Sequence, residues 1–423
     1  FALAKVAKLT FETILEKLNQ SWYENPKKQK EICNQLKIEN SDFQKTLLYT
    51  QDKQKFSLLY NWFSLGLLLA FVILGGFGLL ESSAQSLALS FQTNLMSVSP
   101  ANQPVLVGLF FFLELLVLSS LSSLPFEYYS TFFIEEKHGF NKQTPKVFFA
   151  DMIKGIIINV LLGGILIGLL LKAMDAGEYW WLWAWALLSL FSLFTSWIYP
   201  TVLAPLFNKF SPLEEGDLKK KIFILAQKIS FEASGIFVMD ASTRSTHGNA
   251  YFTGVFGKKR IVLFDTLIKN LSNNEIIAVL AHELGHFKLK HIKGSLIRGI
   301  LFTGVLFYLL SLCLHMKSFY TAFSFSDVSN YAALVIFPLW FSLVSFLLSP
   351  LMSFLSRKNE FAADSFAINT VKNSRDLGKA LISLSKTNHS MPIAPPLYSL
   401  FYFSHPPIVE RLEAIKFHDE PQI

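Results

Sequence analysis

The segment AVLAHELGHFKLKH, residues 278–291, carries His282 and His286 four positions apart with Glu283 beside the first. On a helix, residues four apart share a face, so the two imidazoles can present themselves to one cation. Glu283 then projects next to that cation and can take a proton from water that the ion has made acidic; zinc lowers the pKa of such water toward about 7. Gly285 leaves the site uncrowded. A catalytic ion needs a third protein ligand and an open position. The stretch SRKNEFAADSFA, residues 356–367, offers Glu360 as that ligand. Asp364, one turn further along, can accept the free ring N–H of His282 and so fix its tautomer and orientation. The bland alternatives are a helix with polar groups on its surface and a solvated charge at a helix end. His291, five residues past His286, is expected to face elsewhere and is not read as a ligand.

The elements that must position these residues lie in a membrane. The 423 residues are 52% hydrophobic and only 16% charged, and 42 of them are Phe; soluble domains carry roughly 25% charged residues. Six stretches are long and apolar enough to span, at about 57–80, 104–124, 150–172, 179–199, 296–314 and 331–355. Lys and Arg are concentrated in 20–56, 125–149, 200–295 and the tail after 355, while 81–103 and 173–178 have none and 315–330 has only Lys317. By the positive-inside rule the first set is cytoplasmic, which places both halves of the metal motif on the cytoplasmic side. The net charge of +7 reads as topology, because no basic block with interleaved aromatics marks a nucleic-acid partner. Cys33 and Cys313 form no metal or disulfide pattern. Glu114, Asp151 and Lys154 lie in or beside apolar spans, where ionisable groups are costly and usually functional.

Between the fourth and fifth spans, residues 212–229 read as a surface helix opened by Pro212, 235–240 and 258–264 as strands, and 250–264 as a hairpin turning at Gly257. Residues 272–292 read as a helix with Ser272 as N-cap and Glu275 completing a capping box. The chain divides into a membrane-helix domain, residues 1–200, and a metallopeptidase domain, residues 201–423, that includes the last two spans.

The His-Glu-Leu-Gly-His segment followed by Asn-Glu-x-x-x-Asp resembles the gluzincin metallopeptidases. PFEYYSTFFIEEKHGFNKQTP (125–145), STHGNAYFTGVFGKKRIVLFDTLI (245–268) and FSHPPIVERLEAI (403–415) narrow the resemblance to the type I CAAX prenyl endopeptidases. It implies a mainly α, multi-pass membrane protein whose seven helices enclose a chamber, with a zincin-like α+β catalytic region. Residues 1–18 would then be the end of the first of those helices. It also implies one Zn2+ per chain, held by His282, His286 and Glu360, with Glu283 as general base and Asp364 behind the ligands. His405 would be a second catalytic imidazole, Arg411 a support for its corner, and Asn249, Ala250 and Tyr251 the strand that holds substrate backbone. Taken alone, Asn249 reads as a turn residue and His405 as a surface histidine.

The activity this implies is zinc endopeptidase cleavage of prenylated Cys-a-a-X C-termini, with general membrane-protein turnover as the alternative within that class. The partners are a peptide or protein substrate and membrane lipid, without nucleic acid. The expected location is a bacterial inner membrane, or the endoplasmic reticulum of a eukaryote. A transporter would show paired broken helices, which are not evident, and a structural zinc would ask for a closing Cys or His.

Overall fold

Apolar runs in lipid can satisfy their backbone only as helices or closed barrels. The computed structural model describes residues 1–94, 99–253 and 259–417. Among them six helices are long and apolar enough to cross a membrane: Asn40–Ile73, Gln103–Glu135, Pro145–Met174, Trp180–Leu206, His291–Cys313 and Asn330–Val371. The first expected span is placed differently from the sequence reading. The run 57–80 is broken after Ile73, where Gly75 adopts φ +74°, and a separate helix, Gly76–Asn94, follows. A side chain is excluded at Gly78, whose Cβ would lie 2.4 Å from the Ser324 carbonyl oxygen. The second helix buries Phe77, Leu80, Ala84 and Ala88 at helical spacing against Phe111, Phe325 and Tyr331. The N-terminal helix, Ala2–Tyr23, packs along the long helix Asn330–Val371, with the Phe1 ring 5.3 Å from Trp340.

Outside the span region a four-stranded sheet packs on helices around a second core. Strands β1 (Phe210–Pro212), β2 (Ala233–Met239), β3 (Ala250–Thr253) and β4 (Lys259–Phe264) take the order β1-β2-β4-β3. β2 and β4 run parallel, and β3 pairs antiparallel with β4, leaving the other side of β3 as a sheet edge. Gly257, the expected hairpin turn, lies outside the described residues. Pro212 does not open a helix. It ends β1, an edge strand that tolerates its missing N–H, and the surface helix begins later, at Asp217–Lys228.

Two of the three intramembrane charges, Asp151 and Lys154, are paired. Arg244 Nε donates to Asp151 Oδ2 at 2.9 Å and its NH2 lies at ion-pair distance, 2.9 Å, from the same oxygen, and Lys154 Nζ reaches Asp151 Oδ1 at 3.3 Å and the Leu206 carbonyl at 3.0 Å. These contacts tie a membrane helix to the segment leading into β3. Glu114 Oε1 accepts from the Ser83 hydroxyl at 2.5 Å.

Candidate metal centre

The helix Asn273–Lys288 starts where its sequence says it should: Ser272 Oγ accepts from the Glu275 N–H, and the Glu275 carboxylate accepts from the Ser272 N–H at 2.7 Å. Its apolar face buries Ile276, Leu280 and Leu284, while the opposite flank meets the long helix Asn330–Val371. Gly285 sits in that crossing. A Cβ there would lie 3.1 Å from Phe366 and 3.3 Å from the Ala363 carbonyl, so glycine lets the two helices approach closely.

The crossing brings both halves of the motif together. His282 Nε2 and His286 Nε2 are 3.2 Å apart, and each lies 3.4 Å from an oxygen of Glu360. One donor atom from each of the three residues falls within 4.8 Å of the others. Glu360 is 4% exposed, and its Oε2 makes no hydrogen bond among the described residues. A buried carboxylate with one oxygen lacking a hydrogen-bond donor, set beside two imidazole nitrogens, is a donor set suited to a cation.

Behind the ligands the arrangement is closed. Asp364, 1% exposed, accepts from His282 Nδ1 at 2.7 Å. Arg411, on the helix Ile408–Ala414, grips the same carboxylate with Nε to Oδ2 at 2.8 Å and NH2 to Oδ1 at 2.6 Å. Arg411 therefore braces Asp364 and, through it, His282, and the same pair ties the helix that follows the His405 segment to the long helix. His405 lies with Nε2 3.4 Å from Glu360 Oε1, on the open side, its side chain 66% exposed.

Burial disfavours charge on His282, but the hydrogen bond to Asp364 and the neighbouring Glu360 carboxylate together outweigh it and push the imidazole up to about 9. His286, desolvated and facing a charged His282, is pushed down to about 4. Two imidazoles that share one space in the metal-free protein thus divide the proton unequally, whereas a cation requires both neutral. Burial also raises the Glu283 carboxyl above the usual range, opposed by the charge on His282.

His291 corrects the sequence reading. Its Nδ1 lies 3.0 Å from His286 Nδ1, although it is not among the three converging ligands. The motif helix ends at Lys288, Lys290 turns through φ +59°, and His291 begins the next helix with its ring redirected toward His286. If Nε2 of His286 is a ligand, its Nδ1 carries the proton and donates to His291, the orienting contact that ligand histidines generally have. The only sequence signal was a third histidine close behind the motif. Asn249, Ala250 and Tyr251 lie at the start of β3. The Asn249 carbonyl accepts from Phe264 N–H, its side-chain oxygen accepts from Ala250 N–H at 2.8 Å, and the strand packs beside the motif helix.

Two family models match the chain end to end: CAAX prenyl protease N-terminal, five membrane helices, over residues 23–209, and peptidase family M48 over 212–418. A CAAX prenyl protease 1 homolog of Oryza sativa is 42% identical over 75% of each chain, and one of Arabidopsis thaliana is 37% identical over 90% of this chain and 89% of its own. CAAX prenyl protease 1 of Saccharomyces cerevisiae is 38% identical over 90% and 87%. The crystal structure of S. mikatae Ste24p superposes with a TM-score of 0.88 at 33% identity, covering 98% of this chain and 97% of that one. The chain is thus a mainly helical, multi-pass membrane metallopeptidase and belongs to peptidase family M48, within the CAAX prenyl endopeptidases.

Proposed function

We propose that the protein holds one zinc ion on His282, His286 and Glu360 and uses it to cut the aaX tripeptide from prenylated Cys-a-a-X C-termini. The observation that carries the metal assignment is the convergence of two Nε2 atoms on a buried carboxylate, one of whose oxygens lacks a hydrogen-bond donor. The substrate class rests on the relatives, which are named for CAAX prenyl protease activity. When bound, zinc supplies Lewis acidity, acidifying water and polarising a carbonyl.

The chain's own groups do the rest. Glu283, next to the ligand pair and half-buried, accepts the proton that water loses as it attacks the scissile carbonyl carbon. It returns that proton to the leaving amine as the C–N bond breaks. His405 Nε2–H, beside Glu360, donates to the carbonyl oxygen as charge develops on it; losing a donor of this kind typically lowers kcat by about 10²–10³. Asp364 and Arg411 hold His282 in the tautomer that leaves Nε2 free for the ion. The open edge of β3 at Asn249–Tyr251 accepts extended substrate by strand addition, so main-chain hydrogen bonds set the scissile bond in register. The Lys/Arg-rich loops support a cytoplasmic orientation for this machinery.

Purified protein is assayed on matched farnesylated and unprenylated Cys-a-a-X peptides, with Glu283→Gln as the blank. Preferential cutting of the farnesylated peptide, absent in the blank, is the expected result. Equal cutting of both would assign a general membrane-protein protease, and chelator-insensitive cutting would overturn the metal assignment.

A further inference from the structure

His405 sits in the five-residue segment 403–407 between the short helices Pro396–Tyr402 and Ile408–Ala414. Pro406 and Pro407 have no N–H to give, and among the described residues the backbones of Ser404 and His405 make no hydrogen bond. Buried Pro406 and Pro407 seat the downstream half of the segment, while His405 itself has only a 3.1 Å contact between Ser404 Oγ and its Nδ1. An unanchored loop would let an exposed imidazole wander by far more than catalysis tolerates, since a misplacement of about 1 Å costs roughly 10²-fold in rate.

The anchors come from the helix that carries Glu360. Upstream of His405, Arg357 sends NH1 to the Ser399 carbonyl at 2.6 Å and to the Phe403 carbonyl at 2.8 Å. One turn earlier, Ser353 Oγ donates to the Phe401 carbonyl at 3.3 Å. Downstream, Arg411 is locked on Asp364. The segment is thus slung between two attachment points on the long helix, Arg357 upstream and Asp364, gripped by Arg411, downstream, with Glu360 between them in sequence.

We propose that Arg357 is the positioning residue for His405: its two hydrogen bonds to the Ser399 and Phe403 carbonyls set the imidazole at its 3.4 Å station beside Glu360. The inference rests on the reading of His405 as the oxyanion donor. One donor nitrogen holding two carbonyls, three residues before a metal carboxylate on the same helix, turns the packing of the long helix into the placement of a catalytic ring. Lysine at 357 offers N–H groups from a single flexible ammonium and holds the loop less well; methionine keeps the length and holds nothing.

The test uses the full chain in lipid nanodiscs with Arg357→Met, Arg357→Lys, His405→Ala and the Met/Ala double variant. Steady-state kinetics are joined by zinc content, melting temperature and hydrogen exchange over residues 400–412. Arg357→Met is expected to lower kcat by at least about ten-fold with KM within about three-fold, zinc content and melting temperature being retained. Exchange should quicken over 400–412 and not over the helix Asn273–Lys288, and Arg357→Lys should recover part of the loss. In the His405→Ala background the Met substitution should lower kcat no further, because its effect passes through the ring. Multiplying losses in the double variant, or unchanged exchange in Arg357→Met, would overturn the assignment of Arg357 while leaving that of His405 standing. Full kcat in His405→Ala would overturn the reading of His405, and the role of Arg357 with it.

Discussion

Replacing Arg411 by Met removes one partner of a buried ion pair and leaves the other in place. Asp364 is 1% exposed and takes two of its three short contacts from this guanidinium, at 2.8 and 2.6 Å; the third is His282 Nδ1 at 2.7 Å. Breaking such a pair from one side costs about 3–5 kcal/mol, because a desolvated charge is stranded. For a folded unit of roughly 150–250 residues each kcal/mol shifts the melting temperature by about 2–4 °C, so the metal-free variant should melt about 6–20 °C below the parent. The companion variant Arg411→Met with Asp364→Asn removes both charges and keeps a carbonyl oxygen for the His282 N–H. It should therefore regain most of the loss in melting temperature. Metal affinity should not return with it, because the carboxylate that orients and strengthens His282 as a ligand is gone; second-partner losses of this kind weaken binding about 10–100-fold. The assay is tryptophan fluorescence on heating in detergent, paired with chelator competition for zinc. A single variant as stable as the parent, or a double variant no more stable than the single, would refute the view that Arg411 acts by compensating a buried carboxylate.

His291→Ala removes the partner of His286 Nδ1 at 3.0 Å and should weaken zinc binding about 10–100-fold, read by the same chelator competition; unchanged affinity would return His291 to the bystander role the sequence suggested. Zinc binding should also release close to one proton at pH 7. His282, raised to about 9, is protonated in the metal-free protein and must give that proton up, while His286, lowered to about 4, has none to lose. The sign follows: apparent affinity climbs as pH rises toward about 9 and levels off above it. Calorimetry in buffers of different protonation enthalpy measures the release, and a value near zero at pH 7 would show that the imidazoles do not divide the proton in this way.

What could be read from the sequence was what local spacing encodes. The capping box at Ser272 and Glu275 lies within one helical turn, His282 and His286 follow from the four-residue repeat, and Glu360 with Asp364 repeat that logic on an extension of the last apolar span. Other contacts had no such local signature. The break at Gly75 lies inside an unbroken apolar run, so hydropathy merged two helices. The turn at Lys290, a non-glycine residue in the left-handed region, was invisible to a periodicity argument that carried the helix on past it. Arg357 bonds main-chain carbonyls, and every residue has one, so no pattern of side chains could announce the contact.

The same distinction explains how the site is assembled. The helix Asn330–Val371 runs unbroken for 42 residues, from its membrane core at Tyr331 and Ile336 to Glu360 and Asp364. Glu360, the buried partner of His282 and the clamp on the His405 loop are therefore carried by a rod set by membrane packing, while the two histidines ride on a helix set by the sheet. These two bodies meet where Gly285 faces Ala363 and Phe366. Any side chain larger than hydrogen at 285 would force the helices apart by some tenths of an ångström and move Glu360, Asp364 and Arg357 together relative to His282 and His286. Metal geometry and the placement of His405 are thus coupled through one close helix crossing. Relative motion of the span region and the sheet region would act on both at once, because both are fixed to the same rod.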